Sequence, residues 1–338
     1  MGFRLFISIL FAALMLVSCN ESKTKGPNST GRGSEIIVVC NRSVWTGPSG
    51  DTIRAALMRN LYGLPEPETE FTLINIPEKD FTKFLQSHHN VLIVDIKAGY
   101  GKSKVETLSN VWSQPQRVVK IKAGSDTAFY NIFNKRQSAI SELFEQNERA
   151  SFSARNALRR NFDIEKLLAE EFGINMVISN DFYKAKKTND FILLRSETTT
   201  MSLGLVVYIY PFKDTAQLNP VAVLAARDHY AQLYVPGPIE GSYMTVERDT
   251  TPPASHKLLF KGLYAIETKG LWKTKDNIMS GPFINYTIID APRRRIVVLD
   301  GYVYSPNKSK RNYIRQLESI IWGAEFSDPM KVEPKPKS

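Results

Sequence analysis

FINYTIIDAPRRRIVVLDGYVY, residues 283–304, holds two runs of β-branched and aromatic residues, Phe283–Ile289 and Ile296–Tyr304, on either side of Asp290-Ala-Pro-Arg-Arg294. So short a connection between two strand-forming runs predicts a hairpin, and hence an antiparallel pair. Along the second run Val297, Leu299, Gly301 and Val303 share one face, and Asp300, Tyr302 and Tyr304 share the other. The runs Ile174–Ser179, Phe191–Glu197, Leu203–Tyr210, Tyr243–Glu247 and Leu258–Thr268 precede the hairpin, mostly joined by turns, with one helical stretch at Val221–Leu233. After it, Ser305 as cap and Pro306 as first residue open a final helix. Tyr313, Leu317, Ile320 and Ile321 form its apolar face, and Gly323 its stop.

Upstream, strand and helix patterns alternate. Ile36–Cys40, Phe71–Ile76, Val91–Ile96 and Gln116–Lys122 are short apolar runs, with helical spacing over Asp51–Tyr62 and Asp80–Ser87. Continuous rather than alternating apolar strands point to a partly parallel sheet covered on both faces. Asp126 and Asp163 are positioned to cap two helices of the middle, which carry Phe129, Ile132, Phe133, Ile140, Leu143 and Phe144, then Ile164, Leu167, Leu168 and Phe172. The predicted class is α+β: an α/β portion over 35–125, a helical joint over 126–173, and a larger mainly antiparallel sheet over 174–324 with helices on one face.

The two ends read differently. Met1 to Ser18 has Arg4 in a short n-region, an apolar run from Leu5 to Val17, and then Leu16-Val17-Ser18-Cys19 in lipobox form. That run is short of the roughly 20 residues of a permanent span, so it reads as an export signal over 1–18, with Cys19 as the lipidated residue. Several acyl chains of the palmitate type on one cysteine give stable attachment where a single chain is marginal. Residues 19–34, rich in Gly and Ser, read as a flexible tether, and 325–338 as a mobile tail.

The net charge is +10, with 43% hydrophobic and 23% charged residues. This composition is that of a globular chain, and its sign favours anionic neighbours. An exported protein meets envelope polymers and head groups rather than nucleic acid. Cys40, the second of two cysteines, closes a β-branched strand and reads as a small buried hydrophobe.

The loop Trp45-Thr-Gly-Pro-Ser-Gly-Asp-Thr52 lacks the endings of phosphate loops, and Ser49 or Asp51 serves as a helix cap. His88, His89, His229 and His256 show no metal-ligand spacing, and no cofactor is implied. No nucleophile elbow or protease signature is present. Arg293, Arg294, Arg295, Lys308, Lys310, Arg311 and Arg315 are the candidate anion- or partner-binding residues, set against the plainer reading of a solvated face. Tyr286, Tyr302 and Tyr304 are either a stacking platform or core.

Gly270-Leu-Trp272, Met279-Ser-Gly-Pro-Phe283, Gly301-Tyr-Val-Tyr-Ser-Pro306 and Lys310-Arg-Asn-Tyr-Ile-Arg-Gln-Leu-Glu318, with Asn189-Asp-Phe-Ile-Leu-Leu-Arg195 and Tyr210-Pro211, resemble the family catalogued as domain of unknown function 4837. The resemblance, taken over Glu35 to Ala324, implies an exported, lipid-anchored bacterial envelope protein with no assigned activity; Asn20 after Cys19, in place of the aspartate associated with inner-membrane retention, gives a mild preference for the outer membrane. The leading expectation is therefore a non-enzymatic role, binding an envelope protein or an anionic envelope polymer through the basic C-terminal half. A hydrolase of envelope glycan, lipid or peptide, with carboxylates drawn from Asp290, Asp300, Glu267 or Glu247, is the first alternative. A small-molecule-binding lipoprotein is the second.

Overall fold

The computed structural model describes residues 26–275 and 278–326. The predicted signal, Cys19, the start of the tether and the tail from 327 lie outside the described residues.

β1 (Glu35–Val39), β2 (Thr72–Ile76), β3 (Asn90–Ile96), β4 (Lys104–Ser109) and β5 (Arg117–Ala123) form a five-stranded sheet in the order β2-β1-β3-β5-β4. All pairs are parallel except β4 with β5. The apolar runs are continuous because both faces are covered. Ile36, Val38, Leu92, Val94, Val119 and Ile121 pack with residues of α1 (Pro48–Leu57), α2 (Asp126–Asn134) and α3 (Gln137–Asn156). Ile37, Val39, Val91 and Val118 form a smaller cluster against Phe81 and Trp112. Strand β4 was not legible in the sequence, since its residues are half-buried to exposed at a sheet edge and mix charge with apolar side chains. The caps also shift: Ser125 and Asn161, not Asp126 and Asp163, accept the capping hydrogen bonds, from the amides of Ala128 and Ile164. Helix α1 starts at Pro48 with no side-chain cap, so neither Ser49 nor Asp51 fills that role.

The joint continues from α2 and α3 into α4 (Phe162–Leu167) and a single wide turn, Leu168–Phe172, which ends at Gly173 with φ +64°. After β6 (Ile174–Asn175), β7 (Tyr183–Lys187), β8 (Phe191–Thr198), β9 (Met201–Pro211), β10 (Met244–Val246), β11 (Ala254–Phe260), β12 (Leu263–Thr274), β13 (Ser280–Asp290) and β14 (Arg295–Tyr304) build an eight-stranded antiparallel sheet. Its order is β10-β12-β13-β14-β9-β8-β7, with β11 also on β12. The predicted hairpin is β13–β14, in a register that sets Tyr286 opposite Leu299 and Phe283 opposite Tyr302.

The helices cover both faces of this sheet, not one. On one face Leu205, Val207, Ile284, Tyr286, Leu299 and Val303 share a core with Ile314, Leu317, Ile320 and Ile321 of α6 (Arg311–Trp322). On the other, Phe191, Leu193, Val206, Tyr208, Ile296, Val298 and Tyr302 pack with Val223, Tyr230 and Ala231 of α5 (Pro220–Tyr234). Each fully buried large apolar side chain contributes roughly 1.5–3 kcal/mol, which favours two apolar faces over one. Helix α6 begins at Arg311 rather than at Ser305, because Pro306–Ser309 form a turn with Asn307 at φ 57°. Gly323 ends it as read.

Two segments at the ends of the folded part are tied down. Asn28 and Thr30 make bridges to Gln114 and His88, and Ser34 is fully buried, so the stretch expected as tether is attached from residue 28. Glu325–Phe326, expected in the tail, pair with β6. The attachment of Ser34 centres on Glu148 of α3. Its carboxylate accepts from the Ser34 amide at 2.8 Å, His89 Nε2 at 2.6 Å and Asn90 Nδ2 at 2.7 Å, while Ser34 Oγ donates to Asn312 Oδ1 of α6 at 2.9 Å. Burial alone would raise the Glu148 pKa, but the His89 hydrogen bond and charge, Arg315 and the Ser34 amide together hold it below the ordinary range.

His88 gives a pH signature. Its ring lies where a Cβ on Gly31 (φ +100°) would fall, and it stacks on His89 at 4.5 Å. Burial and the neighbouring His89 charge lower its pKa from 6.5 to about 4. The native state refuses a proton that the unfolded chain accepts, so stability is full above pH 6.5 and falls toward pH 4. The expected slope is at most about 1.4 kcal/mol per pH unit. Urea unfolding between pH 7.5 and 4.5 should show this loss, and His88→Gln should flatten it; an unchanged slope in the variant would assign the titration elsewhere.

Candidate functional site

The seven predicted basic residues do not form one surface. Arg293 and Arg295 pair with the buried Asp290 at 3.3 and 2.7 Å, packed against Gly173, and Arg294 is exposed at the same turn. The others lie beyond the opposite end of β14. There Lys310 donates to Glu66 Oε2 at 2.7 Å, Arg311 to the Thr69 carbonyl at 2.5 Å and Thr72 Oγ1 at 3.1 Å, and Arg315 sits 4.6 Å over the Phe71 ring. These three bind the C-terminal sheet to the N-terminal portion instead of facing a ligand. Lys308 is exposed and donates to Thr200 Oγ1 at 3.0 Å.

The candidate carboxylates are likewise separated. Asp300 is buried and pairs with Arg227 at 2.8 Å, and Glu247 pairs with Lys273 at 2.9 Å. Glu267 accepts from His256 Nε2 at 2.9 Å, from Lys269 and from the Tyr286 hydroxyl. Burial opposes ionisation of Glu267, yet these partners pull its pKa down to about 2. Glu318 of α6 also reaches the Tyr286 hydroxyl, at 3.1 Å. Beside this group Glu145, Arg149, Lys269, Arg315 and Glu318 line a cavity of about 30 Å³ at the seam, room for one water-sized occupant. Tyr286 is core, tilted against Phe260 and edge-on to Trp322. Cys40 is buried, and burial pushes its thiol up to about 11. Among the described residues no group of His, Cys, Asp and Glu is arranged to hold a metal ion.

A large opening lies on the α5 face, at the Tyr304 end of β14. A groove of about 490 Å³ is lined by Trp272, Tyr302, Tyr304, Met244, Met279 and Arg195 among others. A second opening of about 400 Å³ adjoins it, sharing Arg195 and Pro236. The sheet register builds the floor: Arg195, Gly204 and Tyr302 stand side by side on β8, β9 and β14. A Cβ on Gly204 would overlap the Tyr302 ring, so glycine lets that ring lie flat across β9 toward Arg195. Trp272 stands edge-on to Tyr302, with centroids 5.7 Å apart, and its indole donates to the Val303 carbonyl at 3.1 Å.

Two polar atoms in this floor close no hydrogen bond of good geometry, the Tyr302 hydroxyl and Arg195 Nε. Tyr302 is 3% exposed. Burial raises its pKa, while the charge of Arg195 and its side-chain pairing with the hydroxyl restrain the rise. Glu197, at the rim, is already engaged by the Tyr183 hydroxyl, by Ser202 Oγ at 3.1 Å and by Arg195 Nη1 at 3.6 Å. Tyr302 and Tyr304 were legible as a shared aromatic face. Arg195 was not singled out, although a lone cation closing the apolar run Phe191–Leu194 was the available signal.

A mainly antiparallel sheet covered by helices on both faces, with an aromatic groove at one end, is thus the C-terminal unit. Residues 161–323 match the model of the family described as Domain of unknown function (DUF4837). Residues 29–157 match a different model, Domain of unknown function (DUF8532), so the first family covers less of the chain than the resemblance from Glu35 onward implied. No curated protein matches the chain. Two solved structures, a Mog1 mutant and the Saccharomyces cerevisiae Ran-binding protein Mog1p, align with 47% of this chain and with 93% and 92% of their own. Identity is 10% in both, with TM-scores of 0.31 and 0.32, a likeness that defines neither fold nor function.

Gly204→Val should displace the Tyr302 ring and cost about 1–3 kcal/mol by overpacking. Urea unfolding and the near-ultraviolet dichroism of the Trp272–Tyr302 pair measure it, and wild-type values in both would contradict the described floor. Lys310→Ala should measurably lower the unfolding midpoint and Lys308→Ala leave it in place. Equal effects would return both lysines to a common surface.

Proposed function

We propose that this is an exported envelope protein, anchored through lipid on Cys19, whose folded part acts by binding rather than by catalysis, and that the groove beside Trp272 and Tyr302 is where it binds. The groove carries the reading. Its volume lies in the range of ligand sites, about 300–1,000 Å³, and its lining combines aromatic and Met side chains with a few polar groups. The lipobox sequence at Leu16–Cys19 supports the anchor. Among the described residues no helix is long and apolar enough to cross a membrane. The expectation of binding through a basic patch moves to this groove, because Lys310, Arg311 and Arg315 are engaged within the fold. Glu267 and Glu318 share the Tyr286 hydroxyl, and the cavity that Glu318 lines beside them is only about 30 Å³, which favours the groove over that cluster as the place where another molecule is received.

Cells expressing the tagged full chain test this. Acyl label should enter the wild type and be absent from Cys19→Ala, which should also leave the membrane fraction. A photo-crosslinker placed at Met279 should capture a molecule in intact cells that Gly204→Val fails to capture. An unlabelled wild type overturns the anchor, and identical capture by both proteins overturns the groove.

A further inference from the structure

The groove's chemistry is specific enough to name a class of ligand, on the reading above that the groove binds. Its floor joins an apolar part to a cationic one. Trp272, Met244 and Val235, each nearly fully buried, lie alongside the less buried Met279 and Tyr304. At the other side stand Arg195 and the Tyr302 hydroxyl, side-chain partners of each other, with Arg195 Nε and the hydroxyl closing no hydrogen bond of good geometry. A cation and a hydroxyl partnered chiefly by each other keep donor capacity for an acceptor that enters the groove. Both unclosed groups match an acceptor: Arg195 Nε carries a donor N–H, and the hydroxyl of Tyr302, raised in pKa by burial, keeps its proton to donate.

The charge around the opening has the same sign. Exposed Lys186 lines the adjoining opening, and exposed Lys308 donates to Thr200 on the rim of the groove. Glu197 is the opposing charge in the lining, and three partners already satisfy it. Gly204 makes the arrangement possible, since any side chain there would lift the Tyr302 ring from the floor.

We propose that the groove receives an anionic amphiphile, whose carboxylate or phosphate head is taken by Arg195 and the Tyr302 hydroxyl while its apolar body lies over Trp272, Met244, Met279 and Tyr304. A charge-assisted bond to the head is worth about 1.5–3 kcal/mol, or roughly ten- to a hundredfold in affinity.

Calorimetric titration of the purified full chain in phosphatidylcholine nanodiscs, with empty discs as reference, tests it using octanoate, octyl phosphate, octanol and inorganic phosphate. Octanoate or octyl phosphate should bind at least about tenfold more tightly than octanol and than inorganic phosphate. Which of the two binds better identifies the head group. Arg195→Met should weaken the anion about tenfold or more, Tyr302→Phe several-fold, and neither should change octanol. Octanol binding as well as octanoate overturns the anionic head, and inorganic phosphate binding as well as octyl phosphate overturns the apolar body. Both comparisons use the wild type and stand even where a variant fails to fold. Absence of binding by every compound, with capture at Met279 still sensitive to Gly204→Val, overturns the amphiphile while the groove's binding role survives.

Discussion

The buried carboxylate of Glu148 is the interaction on which the rest of the structure depends. A charge nearly out of water persists only where donors converge on it, and here they come from three remote parts of the chain: the Ser34 amide, His89 and Asn90 at the start of β3, and the field of Arg315 on α6. Removing any one donor leaves the others facing an incompletely satisfied charge. The carboxylate therefore fixes the entry of the chain into β1, the position of α3 over the first sheet, and the approach of α6 from the second.

From that clasp the second sheet inherits its geometry. Helix α6 is held at its start by Lys310 and Arg311 on the N-terminal portion, and along its length by Leu317, Ile320 and Ile321 on the sheet. With one face of β14 and β9 thus occupied, the other is left to α5, which covers only part of it. The groove is the remainder: the end of the sheet beyond α5, where Gly204 leaves space for a tyrosine ring to lie flat and Arg195 stands beside it.

Much of the fold was legible because strand runs and turn residues are local signals. The β13–β14 hairpin, the parallel strands of the first portion and the stop of α6 at Gly323 all follow from patterns within a dozen residues. What escaped depends on distant partners. Lys310, Arg311 and Arg315 look like a solvated helix start, and nothing near them in sequence announces Glu66, Thr69, Thr72 or Phe71 as their neighbours. The two-sided covering of the large sheet was present in Leu203–Tyr210, an unbroken apolar run of the kind read correctly in β1 and β3. Of the groove, the sequence showed the alternation that places Tyr302 and Tyr304 on one face. It could not show Arg195 and Gly204 beside Tyr302, since the order of β8, β9 and β14 arises from the folded sheet.

Amide hydrogen exchange tests the clasp most directly. The Ser34 amide, the amides of β3 and those of α6 should open with one shared free energy, and Glu148→Ala should lower all three together. A Ser34 amide exchanging at the rate of an unstructured chain, or an α6 unaffected by the substitution, would contradict the account and leave two portions that merely touch.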